Sequence, residues 1–503
     1  MLLIKDIKLA VNENEELLRK KIEKMLNTTI KSFEIHKKSL DARKEPIYVY
    51  SVLVDVDNEN KYVNKQVTKY IKEDLNPKYI KRNKTCIVVG YGPAGIFSAY
   101  RLCQAGYKVV VFEKGKRIVD RVKDVEKFFN EGILDENSNV QFGEGGAGTF
   151  SDAKLTTRIK DKYIDYILDI FVRHGAKPSI KYEHHPHIGT DEIRKIITNI
   201  TDYLILNGCK FHFEEELVDL ILKDRELIGI KTNKDKYYGD YFLLGIGHSA
   251  YKTICMLKEN HVHIENKDIA IGFRVEHPQS LIDLNQTNNI INEPNEYLLR
   301  YKDDKGVYSF CMCPGGIVVP AMSDKNTIVT NGMSYSKRDS GIANSAILIQ
   351  ILKEEFVDGY DYLHNIESNA YKYSSSYKAL SQNIKDFIND DLTDLIFKST
   401  YPLGTVLYNF NNFFKDADLA IVKRALKYFD TKIPGFINSG IMIGPETRSS
   451  CPIRINRDET LQSVNTKNLY PMGEGSGYGG GIMSCALDGI RIANKIIFNY
   501  EQI

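Results

Sequence analysis

The chain is poor in the features that mark several large classes of protein. It has eight cysteines and no tryptophan in 503 residues, and cysteines this sparse do not build a disulfide framework. No apolar run approaches the roughly 18 residues that a membrane span requires. Lys5 and Asp6 interrupt the N-terminal apolar residues before a signal-peptide core could form. These absences predict a cytoplasmic protein with reduced thiols and no membrane partner.

An excess of charge of one sign is also missing. Lys and Arg total 68 against 66 Asp and Glu, a net charge of +2, which argues against nucleic acid as the main partner. Hydrophobic residues make up 43% of the chain and charged residues 27%, as in ordinary globular proteins. The length allows about three domains and a large buried core.

Residues 1–72 are predicted to form a small α+β module. Leu2–Val11, Ile30–His36 and Ile47–Val56 have strand patterns, and Glu15–Leu26 has a helical one. Its modest excess of basic residues favours an ordinary solvated surface, with an RNA- or partner-binding appendage as the alternative. Residues 73–84 are polar, contain Pro77 and are predicted to be a linker.

A βαβ unit begins at Thr85. Thr85–Val89 is a short apolar run typical of a strand buried on both faces. Pro93–Gln104 has helical spacing, Gly106 stands where a helix C′ glycine belongs, and Lys108–Phe112 is a second apolar run. Further on, the pattern predicts a helix at Thr190–Asn207 and strands at Lys210–Asp219, Glu226–Thr232 and Asp240–Leu244.

The turn between the first strand and its helix carries the strongest motif, Gly90-Tyr-Gly92-Pro-Ala-Gly95. Gly90 allows the tight turn, Gly92 lets a pyrophosphate approach the backbone, and Gly95 lets the helix pack closely on the strand. The helix N-terminus offers free N–H groups to phosphates. Glu113 ends the second strand, where a carboxylate can accept hydrogen bonds from ribose hydroxyls and would repel a 2′-phosphate. The motif predicts a dinucleotide site.

The C-terminal segment favours FAD over NAD as this dinucleotide. It reads Gly473-Glu474-Gly475 and then Gly479-Gly480-Gly481 before a helix from Ile482 to about Phe498. The ribityl arm and flavin ring of FAD need a second anchor, and an acid at a strand end followed by a helix N-terminus supplies one. That helix end would favour negative charge on the reduced flavin.

Together these segments resemble the two-part FAD site of the glutathione-reductase-type flavoprotein fold. More narrowly, the chain resembles a bacterial family of uncharacterised FAD-dependent dehydrogenases, over nearly its full length. One departure is Ile246, where many flavoproteins of this fold have Thr. The segments that carry the narrower resemblance are Lys38–Arg43, Phe142–Leu155, His187–Asp191, Gly247–Ala250, Gly272–Gln279, Phe310–Gly316, Glu446–Arg454 and the C-terminal glycine segment.

The resemblance implies an α/β fold with a doubly wound, Rossmann-type FAD-binding domain and an inserted α+β substrate domain. We predict FAD-binding parts at residues 85–160, 190–256 and 441–503, a connecting segment at 161–189, and the inserted domain at 257–440. Adding the glycine-rich loop at 143–149 and a strand end near Val218, the predicted FAD-binding residues are Gly90, Gly92, Pro93, Ala94, Gly95, Glu113, Lys114, Gly146, Thr149, Val218, Gly247, Gly473, Glu474, Gly480, Gly481 and Ile482.

Arginines, acids and a histidine form the candidate substrate side. Arginine forks bind carboxylates and carbonyls, and His277 is a candidate base; an interdomain salt-bridge network is the alternative. Cys311 and Cys313 allow a redox pair, one substrate-facing thiol, or simple packing. The substrate-facing residues put forward are Arg274, His277, Cys313, Glu446 and Arg448.

The histidines at 184, 185 and 187 lack the ligand spacing of a known metal site, so no metal is predicted. The function we expect is an FAD-dependent oxidoreductase that transfers hydride through flavin N5 to or from an unknown small molecule. NADH is a candidate reductant, although no second complete GxGxxG turn is present. The alternatives are a flavoprotein acting on RNA through the N-terminal module, a flavin-binding protein without turnover, and a plain NAD dehydrogenase.

Overall fold

The computed structural model describes residues 1–41, 46–183, 185–287, 289–290 and 293–501, and the side chains of residues 499–501 are not described. The N-terminal module is one four-stranded antiparallel sheet, with strand order β2-β3-β1-β4, packed on a helix. The predicted β-α-β-β order is present and a short fourth strand completes it. The elements are β1 (Leu2–Ala10), α1 (Leu17–Leu26), β2 (Ser32–Asp41), β3 (Ile47–Asp55) and β4 (Val67–Lys69).

The next segment contains the βαβ unit that the sequence predicts. Helix α2 has the predicted bounds, with Gly92 at its N-cap and Gly106 in a left-handed turn beyond its end. The elements are β5 (Thr85–Val89), α2 (Pro93–Gln104), β6 (Lys108–Glu113), α3 (Ile118–Glu131), α4 (Tyr163–Arg173), α5 (Thr190–Leu206), β7 (Lys210–Phe213), β8 (Leu217–Lys223), β9 (Glu226–Thr232), β10 (Lys236–Tyr238), β11 (Tyr241–Leu244), α6 (Tyr251–Glu259) and β12 (Ile264–Asn266).

The single strand predicted over Lys210–Asp219 is wrong. The chain turns at Glu214, whose φ of +54° lies in the left-handed region, so β7 ends at Phe213 and β8 starts at Leu217. The two strands then enter different sheets. β7 lies at the edge of a parallel sheet, and β8 pairs antiparallel with β9 in a three-stranded sheet.

The remaining elements build a second large domain and then return to the first. They are β13 (Ile269–Pro278), α7 (Gln279–Thr287), β14 (Arg300–Lys302), β15 (Gly306–Cys313), β16 (Ile317–Pro320), β17 (Thr330–Met333), β18 (Ile342–Ile351), α8 (Gly359–Ser374), β19 (Ala379–Asn383), α9 (Ile384–Asn389), β20 (Thr405–Leu407), α10 (Asp416–Lys432), β21 (Ile441–Glu446), β22 (Ile453–Ile455), β23 (Leu469–Pro471) and α11 (Ile482–Glu501).

The first large domain is doubly wound around a five-stranded parallel sheet of order β23-β11-β5-β6-β7. Counted along the chain this is the order 3-2-1-4-5, which places the topological switch point between β5 and β11. Ligands bind in the crevice beyond the carboxyl ends of the strands at such a point. The predicted α/β fold with a Rossmann-type domain is confirmed, and the sheet places the site beside Val89 and Leu244.

The second large domain is a seven-stranded sheet of order β14-β15-β18-β13-β21-β19-β20. Its apolar face packs against helices that include α10. The predicted domain boundary at residue 440 is corrected by this topology, because β21 pairs with β13 and β19 and ends at Glu446. Glu446 therefore stands at the end of an internal strand of the second sheet. Helix α4, in the predicted connecting segment, packs into the core of the first domain.

Candidate functional site

One deep cleft, with a volume of about 420 Å³, joins the two large domains. Its floor is the carboxyl end of the parallel sheet, and its far wall belongs to the seven-stranded sheet. Fifteen predicted site residues line it: Gly90, Gly92, Pro93, Ala94, Glu113, Lys114, Gly146, Gly247, Glu446, Arg448, Gly473, Glu474, Gly480, Gly481 and Ile482. The structure thus brings together two glycine segments that lie almost 400 positions apart in the chain. Six others lie outside the lining: Gly95, Thr149, Val218, Arg274, His277 and Cys313.

The first glycine turn leaves no room for side chains. A Cβ on Gly90, whose φ is +88°, would stand 2.2 Å from the carbonyl oxygen of Gly245. A Cβ on Gly95 would stand 2.1 Å from the carbonyl oxygen of Gly90, because α2 packs directly against the end of β5. Gly95 therefore supports the turn without reaching the cleft. The open N-terminus of α2 faces the cleft and suits a pyrophosphate.

Glu113 occupies the predicted place at the end of β6 and is buried. Its Oε2 accepts a hydrogen bond from the Tyr91 N–H at 2.9 Å. Its Oε1 accepts from the N–H groups of Gly115 at 2.9 Å and Gly143 at 3.0 Å. A carboxylate has about four acceptor sites, so one remains for a ribose hydroxyl. Glu113 also ties the first glycine turn to the loop that begins at Gly143.

The loop at 143–149 is held from behind by a buried arginine. Arg121 donates to the carbonyl oxygens of Asn139 and Glu144, each at 2.8 Å, and to the Thr149 hydroxyl at 2.7 Å. Burial lowers the pKa of Arg121 to about 9. The Thr149 hydroxyl in turn donates to the Gly146 carbonyl oxygen at 2.7 Å. The expectation that Thr149 contacts the cofactor is therefore corrected, because its hydroxyl serves the loop.

Val218 also departs from expectation: it was predicted to place its backbone against the adenine, but it is not among the residues that line the cleft. Its side chain is 38% exposed, and its neighbour Leu217 lines the cleft. Alternate residues of a strand point to opposite faces, so the bend at Glu214 decides which of the two faces inward. At this end of the cleft, Lys114 lies over the Phe142 ring and pairs with Glu216 at 3.3 Å.

The C-terminal segment closes the cleft from the other side. The Gly473 N–H donates to the Asp488 carboxylate at 2.8 Å, and Asp488 pairs with Arg457 at 3.0 Å. Burial raises the pKa of Glu474 to about 7. An added Cβ on Gly480 or Gly481 would meet nothing within 4 Å, so the backbone before α11 is open to a ligand.

The second domain contributes a polar corner whose most buried members are Arg274 and Glu446. Arg274 is fully buried behind the cleft wall. It donates to Glu446 Oε2 at 3.0 Å, to the Cys311 carbonyl oxygen at 2.8 Å and to Asn344 Oδ1 at 3.2 Å. Burial raises the pKa of Glu446 to about 7, although Arg274 opposes that rise. Arg274 therefore positions the wall instead of touching substrate, and Glu446 presents the carboxyl group.

Arg448 lines the cleft, but its guanidinium is committed to protein acceptors. It donates to both carboxylate oxygens of Glu367, at 2.7 and 3.1 Å, to Asp324 at 3.0 Å and to the Ser249 hydroxyl at 3.1 Å. The ion pairs of Arg448 lie within the second domain, and only its hydrogen bond to Ser249 reaches the first domain. The interdomain salt-bridge network that the sequence left as the alternative is therefore not what Arg448 forms.

His277 does not reach the cleft. It is fully buried in the second domain, and its Nε2 is hydrogen-bonded to the Phe436 carbonyl oxygen at 2.8 Å. Burial lowers the pKa of His277 to about 4. The expectation that it is a base facing substrate is corrected, because its strand places it behind the wall.

The lining residues that the site predictions did not include are several, among them Lys154 from the first domain and Cys311 on the second-domain wall. Both line the cleft. Lys154 pairs with Glu296 at 2.8 Å and lies 3.5 Å from Asp152. Cys311 takes the place predicted for Cys313, because a bulge interrupts the pairing of β15 between Phe310 and Cys313. The signal for Lys154 was its place in the Phe142–Leu155 segment, while nothing local in the sequence marks the bulge.

The histidine cluster gives no sign of a metal site. His185 lies 3.6 Å from Glu296, and His184 falls outside the described residues. Within the described ranges, no group of three or more His, Cys, Asp or Glu residues could hold a metal ion. A search of the same part of the chain finds no helix with the length and apolar character needed to cross a bilayer.

The N-terminal module contacts the first domain through a hydrogen bond from the Lys38 N–H to the Tyr182 carbonyl oxygen, at 2.7 Å. Lysines on this module pair with its own acids, Lys38 with Glu15 at 2.8 Å and Lys21 with Glu13 at 3.2 Å. Such pairing gives no support to an RNA clamp.

Known proteins resemble this chain in parts and as a whole. Residues 268–449 match the family described as FAD-dependent protein, C-terminal domain-like. Residues 88–135 match an NAD(P)-binding Rossmann-like domain, and residues 1–56 match a domain of unknown function. A protein of Clostridium beijerinckii, described as uncharacterised, is 39% identical over 529 residues, which cover 99% of each chain.

Solved structures match this chain at low similarity. L-proline dehydrogenase from P. horikoshii is 14% identical, with 84% of this chain and 95% of that one covered and a TM-score of 0.36. A geranylgeranyl bacteriochlorophyll reductase-like protein from Thermoplasma acidophilum is 12% identical, with 83% and 79% covered and a TM-score of 0.36.

Proposed function

Because this chain belongs to the family of FAD-dependent proteins whose C-terminal domain it carries, we propose that it is an oxidoreductase that exchanges a hydride with a small molecule held between its two large domains. FAD is the cofactor. The observation that carries the proposal is the single cleft that runs from Glu113, at the nucleotide end, to Cys311 and Glu446 on the second sheet.

The cleft is proposed to hold FAD in a two-part site, as the resemblance to the glutathione-reductase-type fold implies. The N-terminus of α2 would hold the pyrophosphate, and Glu113 keeps an acceptor for a ribose hydroxyl. Backbone at Gly480 and Gly481 would lie along the flavin, where no Cβ stands in the way. When bound, FAD supplies a two-electron donor and acceptor at N5 of its isoalloxazine.

Glu446 is the group that we propose moves a proton for the substrate. It lines the cleft on the second-domain wall, and its pKa of about 7 lets it hold or release a proton near neutral pH. Arg274, bound to its Oε2, fixes the carboxyl orientation. A small molecule with an exchangeable proton beside its hydride-bearing carbon is the substrate class this corner suits.

An anaerobic titration of the FAD-loaded protein tests the proposal. NADH, NADPH and a panel of reduced small metabolites are added one at a time while the visible flavin absorbance is followed. We expect at least one to bleach the flavin and Glu446→Gln to bind FAD normally but react at least about 100-fold more slowly. Purified protein that refuses FAD would overturn the proposal. Bound FAD that no panel member reduces would favour a flavin-binding protein without turnover.

A further inference from the structure

Two thiols meet at the second-domain end of the cleft. Cys311 lines the cleft, and Cys313 is fully buried just behind it, with its Sγ 3.3 Å from the Cys311 carbonyl oxygen. Both cysteines are free. Met312 alone separates them in sequence. The pair therefore presents one accessible sulfur and one protected sulfur at the wall that faces the flavin end.

The backbone holds Cys311 in an unusual conformation. Its φ of +43° lies in the left-handed region, which is unfavourable for a non-glycine residue. The strain coincides with the bulge in β15, where pairing with β18 skips from Phe310 to Cys313. Bulges and strained residues are frequent beside active sites, where they redirect side chains. Here the distortion alters the regular alternation of the strand. Cys311 lines the cleft and Cys313 lies behind it, with the two thiols still close enough to share a hydrogen bond.

The charges around Cys311 favour a thiolate. Arg274 donates to its carbonyl oxygen at 2.8 Å, and Lys154 lines the same end of the cleft. Two acids face the same corner, and each has a cation: Glu446 pairs with Arg274, and Asp152 pairs with Arg338 at 2.6 Å. A hydrogen bond from Cys313 lowers the pKa of Cys311, and the same contact raises the pKa of Cys313. An accessible thiolate beside a protected thiol is the usual arrangement of a reactive and a resolving cysteine.

We propose that Cys311 and Cys313 are a redox dithiol that exchanges two electrons with the bound FAD and with a small disulfide or thiol that enters the cleft. This rests on the FAD site proposed above. Toward oxidised FAD, the Cys313 S–H bond breaks and an S–S bond forms between the two cysteines. Two electrons and the released proton pass to the isoalloxazine. Toward an external disulfide, the Cys311 thiolate attacks one sulfur of that disulfide, which breaks the external S–S bond, releases one half as a thiolate and leaves the other half bound to Cys311. Cys313 then attacks Cys311, forms the S–S bond between the two cysteines and releases the second half as a thiol.

The first test follows the cysteines by mass, independently of turnover. FAD-loaded wild type, Cys311→Ser, Cys313→Ser and Cys313→Ala proteins are reduced, desalted and treated anaerobically with bis(2-hydroxyethyl) disulfide. Wild type should lose two thiols and keep no adduct. Both Cys313 variants should retain one mercaptoethanol adduct on Cys311. Cys311→Ser should neither lose this pair of thiols nor retain an adduct. Cys255→Ser, which removes a half-exposed thiol outside the cleft, is the control that should behave as wild type. Cys313 variants that release the adduct as wild type does would overturn the proposal.

The second test measures the thiolate and its contact with the flavin. The rate of Cys311 alkylation by iodoacetamide should be half-maximal at a pH clearly below the value of about 8.5 that a free cysteine shows. In Cys313→Ala that midpoint should move up by about one pH unit, because the donor to the Cys311 sulfur is gone. Cys313→Ser keeps a hydroxyl donor and should show a smaller shift. A long-wavelength absorbance from a thiolate beside oxidised flavin should be present in wild type whose two cysteines are reduced and whose FAD is oxidised. The same absorbance should be absent from Cys311→Ser.

The outcomes separate this inference from the proposed function. A protein that holds FAD and is bleached by a metabolite, yet keeps an unreactive Cys311 with a midpoint near 8.5, would overturn the dithiol alone. A protein that refuses FAD would overturn both, since the electron partner of the pair would be missing.

Discussion

Arg274 and Glu446 form a buried ion pair, with Arg274 Nε 3.0 Å from Glu446 Oε2. The arginine sits behind the wall of the cleft and the carboxyl group sits on it. Desolvation dominates over this pairing, so the pKa of Glu446 rises to about 7. The second domain therefore offers the cleft a carboxyl group that changes its protonation near neutral pH, on a strand rigidly paired at both edges.

This raised pKa predicts a pH-dependent stability. A carboxyl group whose pKa is higher in the folded than in the unfolded protein stabilises the fold at low pH, and that contribution is lost as pH rises through the folded pKa. For Glu446 the pH window runs from about 4.5 to about 7. Across it, the free energy of unfolding should fall by on the order of 3 kcal/mol. Urea unfolding of wild type across this window should show the decline.

Glu446→Gln is the matched variant for that measurement. Its unfolding free energy should fall less between the two pH values, because one titrating group is gone. A residual decline is expected from Glu474, whose pKa burial also raises to about 7. Identical slopes for wild type and Glu446→Gln would contradict the assignment.

Gly90→Ala should abolish FAD binding. A Cβ there would stand 2.2 Å from the Gly245 carbonyl oxygen and push the turn open. Gly208→Ala is the control, because Gly208 has the same φ of +88° and no atom within 4 Å of an added Cβ. Both variants carry the backbone cost of about 1 kcal/mol, but flavin content after purification should fall in the first alone. Equal flavin content in the two proteins would count against the turn as a phosphate site.

His277→Gln should lower stability without altering the pH profile of flavin reduction. The imidazole is buried away from the cleft and bonded to the Phe436 carbonyl oxygen, so its loss disturbs packing and one hydrogen bond, at about 1–3 kcal/mol. Thermal unfolding and the pH dependence of the reduction rate, measured on the same FAD-loaded sample, give both readouts. A lost limb of the pH profile with unchanged stability would restore His277 as the base.

Local sequence determined the nucleotide side of this protein. Short-range spacing predicts the turn at Gly90–Gly95, the bounds of α2 and the acid at Glu113. Each of these features depends on contacts within one βαβ unit. The C-terminal glycines also carried their own signal, because an open backbone before a helix is a local feature. Their meeting with Gly92 in one cleft then follows from the parallel order of the sheet.

Tertiary structure alone decided which residues of the second domain face the cleft. In strands, one extra residue turns every later side chain to the other face, and the bulge in β15 is set by its pairing with β18, not by its own residues. That is why Cys311 takes the place predicted for Cys313. Likewise, Arg274 and His277 have side chains that could act on a substrate, but their strand places both behind the cleft wall. There, burial and pairing determine what they do.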